Sequence, residues 1–414
     1  MVLGYRPQVT TRKTLGEREF IFFMALVSAM SALAIDLLLP AFADMRPAFD
    51  LEPDATDLSL TITLFFMGTG VGNLFWGPIA DAKGRKPVLV VSMALYGVGA
   101  FISAFAPSLA VLYAARFLWG IASAGPRTLT QAIVRDRYSG DAMARIMTLV
   151  QTAFFLAPVI APVLGKGLVE LGSWRYVMGF GVVSAVAVIL WSLRLEETLD
   201  PAHRRPLNFK GTVRGFQAVI ANKVTRGYLL AVTFSFGAFF SFLSSSELLF
   251  EDVFDRSSWF VPFFSIVSVL FGGVALATNR LLRRTTGRNV AMGAGVGMLV
   301  ASVALLAVAL ITDGTPNVVL FLVVFTVANA CHVGFFPTAN SLALEPMGQM
   351  AGTAAAVLGF TTSVGGALLA SLINRSIDGS VTPMALGYAV YVATAVACQA
   401  WAAHHAKAME PVDA

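Results

Sequence analysis

The sequence predicts an all-α membrane protein that crosses the bilayer many times. Hydrophobic residues make up 57% of the 414 residues and charged residues only 13%, whereas an ordinary soluble domain is about 25% charged. Apolar runs of about 20 residues, long enough to cross a bilayer as a helix, recur along the chain. The alternating segments of about ten residues that are typical of a transmembrane barrel are absent from the sequence.

Twelve candidate spans follow from these runs, which places both termini on one side of the membrane. The predicted spans are 20–41, 58–79, 87–106, 109–133, 144–165, 175–194, 227–249, 259–279, 289–311, 316–342, 349–373 and 382–403. Lys and Arg number 22 on the side of the termini and 5 in the opposite loops. Because basic residues favour cytoplasmic loops, we expect both termini on the cytoplasmic side of a bacterial inner membrane. The same explanation of the positive charge means that we expect no nucleic-acid partner.

A long polar connection divides the spans into two groups of six. We predict an N-terminal bundle over 1–194, a cytoplasmic linker over 195–226 and a C-terminal bundle over 227–414. GRKP at Gly84–Pro87 is answered by GRNV at Gly287–Val290, an offset of 203 residues. Two pseudo-symmetric six-helix halves with a site between them are typical of secondary transporters.

Several motifs carry a resemblance to a known family. The loop after span two reads GPIADAKGRKP, span four contains RFLWG and ends in IVRD, and span five contains APVIAPVLG. These resemble the motifs of the major facilitator superfamily. Together with IDLLLPAF in span one and LALEPMGQMAGTAAAVLG at 342–359, they are similar to its bicyclomycin/chloramphenicol-resistance branch of drug–proton antiporters. The resemblance implies the major facilitator fold of twelve transmembrane helices.

The resemblance also implies residues that control conformation. A latch between the halves would consist of Gly77, Asp81, Gly84, Arg85, Lys86 and Asp136. Gly77 would let two helices approach closely, and Ala82 stands where the family usually has arginine. Pro158, Pro162 and Gly165 would bend span five, because proline removes a backbone hydrogen bond.

Asp36 and Arg116 are the intramembrane charges best suited to proton coupling. At 1.5 Å per residue they lie about 7 Å and about 10 Å from the same outer membrane face. A charge at this depth is costly and usually has a function. We interpret Asp36 as the group that exchanges a proton and Arg116 as its modulator, since burial favours a protonated carboxyl and a nearby guanidinium favours the carboxylate. The alternative is a static ion pair that only orients helices.

Other residues are candidates for a substrate cavity. Glu247 either faces the cavity or is a solvated carboxylate at the membrane edge, and Arg127 either lines the cavity or reaches the inner headgroups. His332 could relay protons or serve a hydrogen-bonded packing role. Drug-sized sites are mostly apolar, which makes these aromatic residues candidates: Phe65, Phe66, Phe154, Phe155, Phe236, Phe239 and Phe240.

The function expected from these features is proton-driven export of small amphipathic compounds by a monomer in the lipid bilayer. The alternative is an exporter of one metabolite, such as a sugar, an amino acid or a siderophore. No cofactor other than the proton and no metal site is expected. An embedded enzyme would need paired metal-binding carboxylates or a nucleophile with its base, and neither is found; nor is a channel filter. A non-transporting sensor on the same fold stays open.

Overall fold

The computed structural model describes residues 15–52, 55–138, 140–204, 209–374, 376 and 379–407. Within these ranges the regular structure consists only of helices. Twelve of the described helices have 18 residues or more, and eleven are long and apolar enough to cross a membrane. The twelfth, Gly140–Glu170, has 31 residues and is therefore about 46 Å long. The prediction of twelve helices is confirmed.

The helices alternate with short connections along the chain. They are α1 (Glu17–Asp36), α2 (Phe42–Met45), α3 (Ser59–Lys83), α4 (Arg85–Ala104), α5 (Leu109–Arg137), α6 (Gly140–Glu170), α7 (Arg175–Ser192), α8 (Phe209–Ala221), α9 (Lys223–Leu248), α10 (Phe260–Leu282), α11 (Gly287–Ile311), α12 (Val318–Leu344), α13 (Ala351–Asn374) and α14 (Thr382–Lys407). We call the end of the bundle where α1 begins and α14 ends the terminal face, and the opposite end the distal face.

The first helix ends earlier than the apolar run predicts. The run continues to residue 41, but α1 ends at Asp36 and a 3-10 turn follows at Leu39–Ala41. Pro40 explains the end of the helix, because a proline has no N–H to donate and its ring collides with the carbonyl four residues earlier, here that of Asp36. Asp36 therefore lies at a helix terminus and not inside a continuous helix.

The two halves repeat one packing pattern. In the first half α1 packs on α5 and α6, α3 packs on α5, and α4 packs on α5 and α7. In the second half α9 packs on α12 and α13, α10 packs on α12, and α11 packs on α12 and α14. The matching order is what two six-helix bundles related by pseudo-symmetry require.

The halves meet along two helix pairs, α3 with α13 and α6 with α10. A Cβ atom on Gly70 of α3 would come within 2.6 Å of Val364 Cγ2 on α13, and one on Gly359 would come within 2.9 Å of Asn73 Nδ2. Small residues at these points allow the backbones to approach closely. Ser265 on α10 donates a hydrogen bond to the Val159 carbonyl of α6 at 3.3 Å.

The connection between the halves, predicted as a polar linker, contains a helix. Helix α8 lies within 195–226 and packs on α13 and α9. Its Phe216 ring meets Phe360 at 5.6 Å between centroids. Linker and C-terminal half are thus in direct contact near the terminal face.

Candidate transport site

Asp36 is a buried acid that has no polar partner among the described residues. It is 5% exposed, and the structure gives its carboxyl group no hydrogen bond or ion pair with any described residue. It also stands at the C-terminal end of α1, where the helix dipole disfavours negative charge. Burial and the dipole both make an ionised carboxylate costly at this position.

Arg116 stabilises the end of α1 directly. The Leu38 N–H bonds with the Ile35 carbonyl, three residues back, which leaves the Ala34 carbonyl available. Arg116 Nη1 donates to that carbonyl at 3.0 Å, and its Nε donates to the Thr61 carbonyl on α3 at 3.4 Å. A guanidinium at a helix C-terminus satisfies its last carbonyl groups and complements its dipole. The site thus brings Arg116 to the backbone beside Asp36, with no ion pair between the two side chains.

The Arg116 guanidinium is enclosed by aromatic rings. Its carbon lies 4.5 Å from the centroid of Phe65 and 4.9 Å from that of Trp119, and cation–π contacts of this kind are most favourable when desolvated. Phe65 is 1% exposed. The ring packs between α3 and α5 beneath Arg116, and its place in the cavity stays a prediction.

The remaining aromatic candidates separate into two groups. Phe66 of α3 is half-buried and stacks on Phe240 of α9, with 3.7 Å between ring centroids. Phe236 and Phe239 are also half-buried and adjoin Phe240 at 4.8 and 6.0 Å. These four residues meet where the two halves face each other. Phe154 and Phe155 have side chains outside the described part of the structure.

Of the two charged cavity candidates, only Arg127 has a described side chain. Arg127 is exposed on α5, about 27 Å along the helix from its distal end at Leu109. The side chain of Glu247 lies outside the described part, so both interpretations of that residue stay open. His332 is 5% exposed, with Nδ1 at 3.3 Å from Ser235 Oγ.

The latch residues form a charge cluster within the N-terminal half. Arg85 Nε donates to Asp136 Oδ2 at 2.8 Å, and its Nη1 donates to Asp81. Glu197, which is not among the predicted latch residues, accepts from the backbone N–H groups of Arg85 at 2.8 Å and Lys86 at 3.2 Å. Its carboxylate thereby caps the first turn of α4. The position of Glu197 just after predicted span six is the feature of the sequence that could have identified it.

Three glycines of the predicted motifs have different surroundings. Gly84 has φ of +102°, and a Cβ atom there would lie 2.5 Å from Glu197 Oε2, so this position requires glycine. Among the described residues, a Cβ on Gly77 would meet only Thr128 Cγ2, at 3.9 Å. Gly165 of α6 packs directly on the Leu37 carbonyl, beside the end of α1.

Lys86 and the prolines of α6 are the other members of these motifs. Lys86 Nζ donates to the Leu193 carbonyl at 3.1 Å and not to an acid of the cluster. Helix α6 continues through Pro158 and Pro162 without interruption, and the side chain of Pro158 lies outside the described part. The bending of this helix stays a prediction.

An ion pair joins the halves at the distal face. Arg46 Nη1 lies 3.2 Å from Glu251 Oε2, and the two side chains are 3% and 37% exposed. They are 205 residues apart in the sequence, and no sequence pattern links them. Together with the Phe66–Phe240 stack, this pair connects the two halves.

Reversing one charge of this pair should open the distal face. In Arg46→Glu two carboxylates would face each other, and we expect the ratio of distal-open to distal-closed molecules to rise at least about fivefold, on the order of 1 kcal/mol. Double electron–electron resonance between spin labels at the positions of Asp57 and Ser257 measures this ratio. The native Cys331 and Cys398 are replaced beforehand so that only the two chosen positions are labelled.

The double variant Arg46→Glu/Glu251→Arg is the matched control, because it restores opposite charges in reversed order. It should return the distance distribution to that of the unmodified pair. A distribution that is the same in all three proteins would show that the pair does not bias the conformation.

The fold and the site define a membrane transporter with two six-helix halves and an interface between them. The chain belongs to the Major Facilitator Superfamily, whose family model matches residues 22–370.

Individual relatives agree with this assignment. The chain is 27% identical over 372 residues to the bicyclomycin resistance protein homolog of Haemophilus influenzae, with 88% of this chain and 91% of the relative covered. It is 27% identical over 363 residues to multidrug resistance protein D of Escherichia coli, with 86% and 88% covered. Among solved structures, a D-xylose-proton symporter superposes with a TM-score of 0.73 at 13% identity, with 92% of this chain and 97% of that chain covered. That likeness supports the fold.

Proposed function

We propose that the protein exports small amphipathic compounds, including antibiotics, across the bacterial inner membrane in exchange for protons. The names of its relatives, which refer to bicyclomycin and multidrug resistance, support the substrate class. The 22-to-5 distribution of Lys and Arg supports placing the termini, and so the terminal face, in the cytoplasm.

The observation that carries the proposal is the unpartnered Asp36 carboxyl at the end of α1. A buried acid with a hydrogen-bond donor or a counter-ion would be held ionised and would not exchange protons readily. Asp36 has neither among the residues that the structure describes, while a guanidinium is fixed on the Ala34 carbonyl two residues away. When the Asp36 carboxyl is enclosed, its protonated form is favoured. When water enters the site, hydration and the nearby positive charge of Arg116 favour loss of the proton.

Alternating access then couples the two flows. When the distal side is open, Asp36 accepts a proton from outside, and rearrangement of the halves exposes the site towards the terminal face. There the carboxyl releases the proton into the cytoplasm, and a substrate molecule enters for the return step. The distal ion pair and the aromatic stack would separate once in each cycle.

A reconstituted system tests the function. In liposomes that hold the protein, an imposed proton gradient should drive chloramphenicol against its own gradient, and collapsing the proton gradient with an ionophore should stop this movement. Proton flux recorded by a trapped pH dye should start only when substrate is added. Substrate movement that is indifferent to the proton gradient would overturn the proposal, and movement of one metabolite alone would favour the narrower exporter.

A further inference from the structure

His332 is the only histidine of the chain that lies in a predicted span, and neither the proton site nor the ion pairs use it. It lies 14 residues into α12 from Val318, about 21 Å along the helix and so near the middle of the membrane. Transporters of this plan bind substrate near the midplane, at the interface of their halves.

Aromatic rings from two helices surround the imidazole. Phe239 of α9 is parallel to it, with 5.2 Å between centroids and 7° between planes. Phe336, one turn further along α12, lies 6.1 Å away at 18°, and Phe236 presents its edge at 5.4 Å. All three phenyl rings are half-buried, so part of each ring remains free to contact a further flat molecule.

This aromatic cluster extends to the interface between the halves. Phe236 adjoins Phe240 at 4.8 Å, and Phe240 stacks on Phe66 of the N-terminal half at 3.7 Å. Separation of the halves would break that stack and open a flat space bounded by Phe66 on one side and the cluster on the other. A planar ring is the chemical group that fills such a space with favourable stacking geometry.

The hydrogen bonds around His332 decide which ring nitrogen is free. Ser235 Oγ donates to the Val232 carbonyl at 3.3 Å, which uses its single proton. The same oxygen lies 3.3 Å from Nδ1 of His332. With the hydroxyl proton on the Val232 carbonyl, this oxygen accepts from Nδ1, and on that basis we assign the ring hydrogen to Nδ1. In the neutral imidazole Nε2 is then an acceptor. It has no partner among the described residues and is not among the polar atoms sealed from solvent.

We propose that His332 is a specificity-determining residue of the substrate site, which selects neutral planar aromatic compounds that carry a hydroxyl or amide N–H donor. The rings of Phe236, Phe239 and Phe336 contact the flat part of the ligand, and Nε2 of His332 accepts its hydrogen bond. This inference rests on the proposed export function for its biological meaning, but ligand binding itself can be measured without transport.

The test uses two fluorescent probes: umbelliferone, a planar phenol, and its methyl ether, in which a methyl group replaces the donor hydrogen. Both are titrated onto the detergent-purified full chain at a pH where umbelliferone is neutral. The unmodified protein should bind umbelliferone about fivefold to tenfold more tightly than the ether, the value of one hydrogen bond. Failure to bind either probe, or equal binding of both, overturns the proposal.

Two substitutions of His332 separate hydrogen bonding from stacking. His332→Phe keeps a flat ring and should remove the preference for umbelliferone while leaving the affinity for the ether within about twofold. His332→Gln places an amide near the position of Nε2 and should keep part of the preference. A preference that is unchanged in His332→Phe would assign the donor contact to another residue.

Ser235→Ala tests the tautomer, because without the hydroxyl Nδ1 loses its acceptor and the preference should fall. Ser302→Ala is the matched control: this buried serine also donates to a carbonyl of its own helix, that of Leu299 at 2.8 Å, and lies on α11. It should leave the preference unchanged, and an equal loss in both serine variants would contradict the assignment. If the preference holds while proton-driven transport fails, the proposed function fails alone; the reverse result would remove only the role of His332.

Discussion

Asp36→Asn should abolish proton-driven export while leaving the protein folded and able to bind substrate. Asparagine has nearly the shape of a protonated aspartic acid but cannot release a proton. Because the Asp36 carboxyl has no hydrogen-bond or ion-pair partner among the described residues, the exchange breaks no contact. We therefore expect the free energy of unfolding to change by less than about 1 kcal/mol.

The measurement is uphill transport in liposomes under an imposed proton gradient, together with exchange of labelled substrate at equal concentrations on both sides. Uphill transport should fall to the background of empty liposomes. Exchange should continue and should no longer depend on pH, since the variant stays in the neutral form at every pH.

Asp44→Asn is the matched control. Asp44 lies on α2, eight residues further along the chain, and is exposed at the distal face. Its substitution should leave uphill transport and its pH dependence unaltered. Normal gradient-driven transport by Asp36→Asn would show that another group carries the proton.

The second large effect is expected for Gly120→Ala, on the structure of the N-terminal half. A Cβ atom on Gly120 would overlap the Phe65 carbonyl oxygen, and one on Gly68 of α3 would overlap the Phe117 carbonyl oxygen. The two glycines thus let α3 and α5 touch backbone to backbone, one turn from Arg116. A methyl group at Gly120 meets backbone, which cannot turn aside as a side chain can, so we expect a loss of about 3 kcal/mol or more.

Size-exclusion chromatography of samples heated to a series of temperatures measures this loss as a lower temperature of unfolding. Gly273→Ala is the control, since no atom of the described residues lies within 4 Å of a Cβ atom at that position of α10. Alanine has the higher helix propensity, so the control should be neutral or slightly more stable. Equal melting of Gly120→Ala and the unmodified protein would show that the helices can separate at little cost.

Much of the architecture could be predicted from the apolar runs of the sequence. Apolar runs of membrane-spanning length define helices whatever their neighbours are, because a backbone in lipid must satisfy its own hydrogen bonds. Asp36 was likewise identifiable, since an acid in such a run is costly. The early end of α1 also had a visible cause in Pro40, but the apolar run hid it.

The contacts of the site depended on the tertiary structure. Arg116 and Ala34 are separated by 82 residues, Ser235 and His332 by 97, and Arg46 and Glu251 by 205. The neighbours Phe65 and Phe66 show the reason most clearly, for one is sealed under Arg116 and the other stacks across the interface. In a membrane both the lipid-facing and the core-facing sides of a helix are apolar, so hydrophobicity cannot tell which ring faces where. The sequence alone thus determines which segments span the bilayer. The packing of those helices determines which side chains meet.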